Sequence, residues 1–263
     1  MSKSVFIIPQ AGLCNRMRVI NGGIDLAHKL NATPILIWCN DKNLNSSFSN
    51  LFQNLDIKTY ETEINSILFK FLLFYAKRIK NSIEFDDDYI VKHFRGNKTH
   101  SFEEFKGKNI IINSCQSVTL SEDFGMFKIS NEIAQNILNI DKDTIGIHVR
   151  RTDNKKSVLF SPTELFVERI DQEITENKNV KFYLATDDLN EERFMKQRYG
   201  DRIICYPKTS LDRNNPQAIK EALIDLYHLS KCSKIFASYY SSFSDVAAMW
   251  GNIHKEVIKK ESI

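Results

Sequence analysis

The chain of 263 residues has no excess of one charge, since 36 Lys and Arg face 33 Asp and Glu for a net +3. That balance excludes the broad cationic face that follows a nucleic-acid backbone, so nucleic acid is not an expected partner. Paired cysteines are also missing. Cys14, Cys39, Cys115, Cys205 and Cys232 are odd in number and far apart; they form no metal-binding pair and no disulfide framework, which points to a reducing compartment. There is no run of about 18 apolar residues to cross a bilayer and no basic, then apolar, leader at the start. The expected location is the cytoplasm. No internal repeat is visible.

What is present is the composition of a folded globular protein, 42% hydrophobic and 26% charged, long enough for one large domain or two small ones. Short apolar runs alternate with segments of helical period. "SVFII" (4–8), an amphipathic stretch from Asn15 to Leu30 and "TPILIW" (33–38) read as a βαβ unit. The second half repeats this with "TIGIHV" (144–149), "VKFYLAT" (180–186), "DRIICY" (201–206) and "KIFAS" (234–238) as strands. Helices are predicted from "SPTEL", over Leu189–Tyr199, over "PQAIKEALIDLYHLSKC" and over "SFSDVAAMW". In the first of these Ser161 caps, Pro162 suits the first turn and Glu164 completes a capping box. Apolar strands alternating with helices imply parallel sheets covered on both faces. Residues 40–143 read as less regular and more polar, with one amphipathic run at 64–82. Two α/β domains result, 1–140 and 141–263.

Ligands of open parallel sheets bind where the strands end. Four polar clusters follow strands: "AGLCNR", "HVRRTDN" (148–154), "ATDD" (185–188) and "SYYSSFS" (238–244). Arg150 and Arg151 would point to opposite sides, one to the strand end and one toward a helix or a carboxylate. An arginine fork there suits a diphosphate; pairing of both arginines with Asp153 and neighbouring acids is the structural alternative. Ser241 and Ser242 open a helix whose amides and dipole make an anion site, or they simply cap it. Asp225, at the edge of an apolar helix face, can accept two N–H bonds from a guanine edge or sit in solvent. In the opening segment "QAGLCNRMRVINGG" (10–23), Gly12 lets the backbone approach a ligand closely.

Together, "GLCNRMRVINGGIDLAHKL", "IGIHVRRTD", "FYLATDD" and "ALIDLYHLSKCSKIFASYYSSFSDVAA" resemble the α1,6-fucosyltransferases, the group of core-fucosylating and nodulation-factor enzymes. They resemble the α1,2- and protein O-fucosyltransferases more distantly. The blocks cover the first 40 residues and nearly all of 144–250, in the family's order. The resemblance implies a GT-B fold, two Rossmann-like domains with parallel sheets facing a cleft, with 1–140 on the acceptor side and 141–263 binding the nucleotide sugar. It implies inverting, metal-independent transfer of fucose from GDP-β-L-fucose to a glycan or glycolipid acceptor, with no cofactor. By the same resemblance Arg150 binds the β-phosphate and His148 lies beside the nucleotide. Asp225 reads guanine, Ser241 and Ser242 hold the diphosphate, and Asp187 and Asp188 border the nucleotide pocket. Asn15 contacts the donor's sugar or phosphate, and Arg16 meets the diphosphate or the acceptor; the alternative for both is a capped helix with solvated arginines.

Negative charge grows on the β-phosphate as GDP leaves, and a metal or fixed cations and N–H dipoles must stabilise it. Arg150 and the helix opened by Ser241 can do so. "FDDDY" (85–89) has the D-x-D spelling of metal-dependent transferases, but it follows no nucleotide-binding strand, reads as a solvated acidic turn, and no metal is assigned. The lysine and glutamate that act as functional groups in core-fucosylating members fall on Asn154 and Val158, so the base is not carried over. Asp153 is a candidate on geometry, with orientation of an arginine as its alternative; the donor phosphate can also take the proton. Cys14 replaces the second glycine of the usual first loop and reads as a packing residue. The basic apolar run 67–80 is too short to span a bilayer; it packs on the domain or lies on the inner membrane surface as a peripheral contact. A transferase for another nucleotide sugar, and a silent glycan-binding protein of the same fold, are the alternatives to a fucosyltransferase.

Overall fold

The computed structural model describes residues 3–94, 101–119, 121, 123–212 and 214–260. They form two compact units, 1–134 with 212–220 and 135–211 with 221–263. The sequence reading divides the chain after residue 140; here the division falls after Ala134, and 212–220 group with the first unit.

The first unit contains β1 (Ser4–Pro9), α1 (Leu13–Lys29), β2 (Thr33–Asn40), α2 (Phe48–Leu51), β3 (Lys58–Glu63), α3 (Ile67–Arg78), β4 (Ser82–Phe85), α4 (Asp87–His93), β5 (Asn109–Ser114) and α5 (Asn131–Ala134). Its five strands are parallel in the order β3-β2-β1-β5-β4. β1 is central and buried along nearly its whole length, as an apolar parallel strand must be when both faces are covered. Alternation sends Phe6 and Ile8 to one face, where Phe69, Leu72 and Ala76 of α3 cover them. Ile7 faces α1, and a Cβ on Gly23 would stand 2.7 Å from its side chain. The second glycine of "NGG" thus permits close helix–strand packing.

The second unit contains β6 (Ile145–Val149), α6 (Lys155–Phe160), α7 (Thr163–Glu176), β7 (Phe182–Thr186), α8 (Leu189–Tyr199), β8 (Ile203–Ile204), α9 (Pro216–Leu229) from Glu221 onward, β9 (Lys234–Ser238), α10 (Ser242–Gly251) and β10 (His254–Ile258). Its strands are parallel in the order β10-β9-β6-β7-β8. Ile145, Ile147, Val149, Phe182, Leu184 and Phe236 build one core layer with Phe166 and Ile170 of α7 and Met195 of α8. The intervening residues face the other way: a Cβ on Gly146 would meet Leu229 of α9, Tyr183 stacks on His228 of α9, and His148 stacks on Phe243 of α10.

The α/β class with two parallel sheets is the one expected, but several elements differ. The stretch 40–143 is more regular than its polarity suggests, because β3 is an edge strand that alternates polar and half-buried positions and β4 is only four residues long. Neither makes an apolar run. β8 keeps only Ile203–Ile204 of the predicted 201–206, since Gly200–Arg202 coil into a 3₁₀ turn. Ser161 does not cap a helix: α7 begins at Thr163, and Ser161 Oγ accepts from the amide of Tyr239 at 2.8 Å. The three acids of "FDDDY" are exposed, as expected, but they open a helix and do not form a turn. Asp86 caps α4 through the Tyr89 amide at 2.8 Å, and Asp87 accepts from Ser114 Oγ and from the Cys115 amide at 2.9 Å. No cysteine is in a disulfide; Cys14, Cys39 and Cys232 are buried, Cys115 and Cys205 half-buried.

Candidate active site

The register of the second sheet brings the sequence clusters to one end. Val149 pairs with Thr186, and His148 pairs with Ala185 on one side and Ala237 on the other. The segments 150–154, 187–188 and 239–241 therefore leave β6, β7 and β9 together at the carboxyl end of the sheet. Polar side chains then join the first to the last. The Arg150 amide donates to Ser238 Oγ at 3.0 Å, Asn154 Nδ2 to the Tyr240 carbonyl at 2.7 Å, and Ser157 Oγ to the Tyr239 carbonyl at 2.6 Å. With the Tyr239 amide on Ser161, α6 and its flanks grip the 238–241 turn from four points. Tyr240 needs that grip because its φ of 58° lies in the left-handed region, which costs a non-glycine residue free energy.

The two arginines divide as alternation requires. Arg151 turns to the α7–α8 side, with Nε 3.2 Å from Glu191, Nη2 donating to Thr163 Oγ1 at 3.0 Å and Nη1 to the Ser161 carbonyl at 2.9 Å. It is structural. Arg150 stays on the side of His148, its side chain 20% exposed, with Nε and Nη2 donating to Asp153 Oδ1 at 2.8 and 2.6 Å. The His148 ring is buried, and burial together with nearby Arg150 pushes its pKa down to about 3, so the imidazole is neutral at physiological pH. Its Nδ1 has no hydrogen-bond partner among the described residues.

Ser241 is the second such case. It occupies the N-cap position of α10 yet makes no side-chain cap bond, and its buried Oγ has no partner among the described residues. The plain capping role expected of this serine as the structural alternative is not the one it plays. Buried polar atoms are nearly always satisfied. Two orphans, a helix N-terminus and a guanidinium therefore collect at one sheet end, a set suited to an anion carried on a ring system.

No family model and no curated protein sequence matches the chain. Solved structures do. Fucosyltransferase NodZ from Bradyrhizobium superposes with a TM-score of 0.61 at 17% identity, covering 94% of this chain and 92% of that one. FUT1 from Arabidopsis thaliana, solved as a mutant in complex with GDP, gives 0.62 at 14% identity over 97% of this chain and 70% of that one. POFUT1 in complex with GDP-fucose gives 0.54 at 11% identity over 94% of each chain. The chain has the fold of these fucosyltransferases. The group suspected from the four sequence blocks is the group the structure resembles.

Within this fucosyltransferase fold, the remaining candidates separate. Asp187 accepts from the Arg151 amide at 2.7 Å and Thr152 Oγ1 at 2.7 Å, so it braces the loop that carries Arg150. Asp188 caps α8 through the Asn190 amide at 2.7 Å. Ser242 is the first residue of α10 and half-buried. Asp225 is no solvated edge residue: it is 3% exposed, with Oδ1 accepting from Tyr183 Oη at 2.8 Å and Oδ2 3.0 Å from Lys208 Nζ. Burial raises its pKa, opposed by the Lys208 charge and the Tyr183 hydroxyl. Reading guanine with this carboxylate requires Lys208 to give way.

In the first unit Arg16 corrects its expectation. It is fully buried, with Nη2 2.9 Å from Asp41, Nη1 on the Cys39 carbonyl at 2.5 Å and Nε on the Ala11 carbonyl at 2.8 Å, and it lies over the Trp38 ring. It is shut off from solvent, so it is not the solvated arginine of the structural alternative. The same contacts fix the loop before α1, where Ala11 and not Gly12 takes the left-handed conformation with φ 66°. Gly12 is extended, and a Cβ on it would meet nothing within 4 Å. Asn15 is half-buried in the first turn of α1, and Cys14 is buried as a packing residue.

Sequence reasoning missed Lys208, Tyr183 and the gripping residue Ser157, and it gave Ser161 a helix-capping role in place of its grip on Tyr239. Only Tyr183 left a signal, since a tyrosine inside a buried apolar strand needs a partner for its hydroxyl. Among the described residues no cluster of His, Cys, Asp or Glu could hold a metal ion.

Proposed function

We propose that this protein is a glycosyltransferase that moves fucose from GDP-fucose to a hydroxyl of a glycan or glycolipid, with inversion. The observation that carries the reading is Ser241: a buried hydroxyl at a helix N-terminus that neither caps nor bonds, at the same sheet end as the orphan Nδ1 of His148. A diphosphate oxygen is the partner that both Ser241 and the α10 amides suit. Arg150 then meets the β-phosphate, and neutral His148 lies against the nucleotide, where a charged imidazolium is not needed.

In the reaction the acceptor oxygen bonds to C1 of fucose while the C1–O bond to the β-phosphate breaks, and its electron pair goes to GDP. Arg150 and the α10 N-terminus stabilise the growing charge, so no metal is needed for that task. Asp153 serves as a positioning residue, since its Oδ1 accepts from both Nε and Nη2 of the Arg150 guanidinium. The acceptor proton leaves with the phosphate. GDP titrated by calorimetry tests the site: Ser241→Ala should weaken binding about tenfold, the worth of one hydrogen bond to a charged group. Release of GDP from GDP-fucose should persist in EDTA. Unchanged GDP affinity in the variant overturns the assignment.

One observation favours a second reading, a transferase for another nucleotide sugar: the Asp225 carboxylate that would read guanine is already held by Lys208 and Tyr183. UDP binding as tightly as GDP would decide for it.

A further inference from the structure

The helix α3 is buried on one side only. Phe69, Leu72 and Ala76 pack on the first sheet, while Ile67 is 88% exposed, Phe71 61%, Phe74 57% and Tyr75 54%. Their spacing of three and four residues makes these one outward stripe along the helix. Aromatic rings of this size exposed side by side are rare on a surface that meets only water.

We propose that α3 is the face by which the protein rests on an anionic lipid surface. Charge decides among occupants. Lys70, Lys77, Arg78 and Lys80 lie on or directly after the helix, and the stretch 64–82 carries no acid. Lys77 is balanced by Glu84 at 2.7 Å, whereas the Arg78 guanidinium lies over the Phe74 ring at 4.7 Å, inside the apolar stripe. On the neighbouring edge strand β3, alternation puts Lys58 on the side of Tyr60, which packs in the α3 cluster, and puts Glu61 and Glu63 on the opposite side. Lys58 Nζ sits 5.1 Å over the Tyr60 ring. Apolar rings edged by cations, with Glu61 and Glu63 turned away and Glu84 neutralised by Lys77, match headgroup phosphates above an acyl layer.

A second copy of the chain fits less well, because a two-fold contact on this stripe would set the cations Arg78 and Lys70 of one copy against the same cations of the other. The helix has 12 residues, too few to cross a bilayer, and its buried stripe holds it to the sheet, so it lies in the membrane plane.

The test is cosedimentation of the full chain with vesicles of phosphatidylcholine alone or mixed with phosphatidylglycerol. Binding should require the anionic lipid and fall with added salt. Both Phe71→Ser with Phe74→Ser and Lys70→Glu with Arg78→Glu should weaken it by about tenfold or more, with melting temperatures unchanged because these side chains are exposed. Absence of binding to anionic vesicles, equal binding to neutral ones, or variants that bind like the parent would overturn the proposal. So would a parent that is dimeric by light scattering and becomes monomeric with the serine pair.

Discussion

Asn154 joins two loops at once: its Nδ2 donates to the Tyr240 carbonyl at 2.7 Å while its Oδ1 accepts from the amides of Lys156 and Ser157 at 3.1 and 3.2 Å. It stands where the resemblance places a functional lysine, and here it holds the turn that aims Ser241. Asn154→Ala should cost about 1 kcal/mol as a lost helix cap and should lower GDP affinity beyond that. Urea denaturation and calorimetry on one preparation separate the two effects; an affinity loss without any stability loss would count against the tether.

Arg150→Ala is expected to leave the fold intact and nearly abolish transfer. Its pair with Asp153 is half-exposed, and such pairs contribute about 0–1 kcal/mol. Removing a fixed donor to transition-state charge costs about 10²–10³ in kcat. A donor-consumption assay beside a thermal melt checks both halves.

The buried Asp225–Lys208 pair makes an asymmetric prediction. Asp225→Ala leaves the ammonium of Lys208, whose side chain is 5% exposed, with only the longer contact to Glu192 at 3.8 Å, and should destabilise by about 3 kcal/mol. Adding Lys208→Met to the same chain should recover much of that loss. Chemical denaturation of both variants tests the coupling, and the double variant can then be titrated with GDP and UDP without the stability defect.

His148 predicts a pH dependence. Its folded pKa of about 3 lies below the unfolded value near 6.5, so between these values the unfolded chain binds the extra proton and stability falls as pH falls. From pH 7 to pH 5 the loss from this one group should be about 2 kcal/mol. Buried His228, whose pKa is also lowered by burial, adds in the same direction. Denaturation curves at both pH values, for the parent and His148→Asn, should show a shallower fall in the variant.

The interior strands β1, β2, β6, β7 and β9 were legible from their apolar runs, as a doubly covered parallel strand requires, whereas interior β5 was not, because its short isoleucine run is bracketed by asparagines inside a polar stretch. The edge strands β3, β4 and β10 were not, since one exposed side removes the pattern that marks them. Among site residues, Arg150 and Ser241 could be placed from strand and helix ends alone. The solvated alternatives for Arg16 and Asp225 failed for a common reason: a charged residue reads as exposed until its partner is known, and Asp41 and Lys208 lie 25 and 17 positions away with no local pattern linking them. Asn154 looked like a vacancy in the motif because its work is done across the sheet, on Tyr240.

The thiols supply a reporter that needs no engineering. Burial pushes Cys39, Cys205 and Cys232 up to about 12 and raises Cys115 as well, and Cys14 is enclosed in α1. Alkylation requires an accessible thiolate, so the folded chain is a poor target at neutral pH and the opened chain offers five good ones. A thiol-reactive dye added under native conditions would accordingly act as a clock for opening, and the order in which the five sites take up label would rank the two units by how often each one breathes.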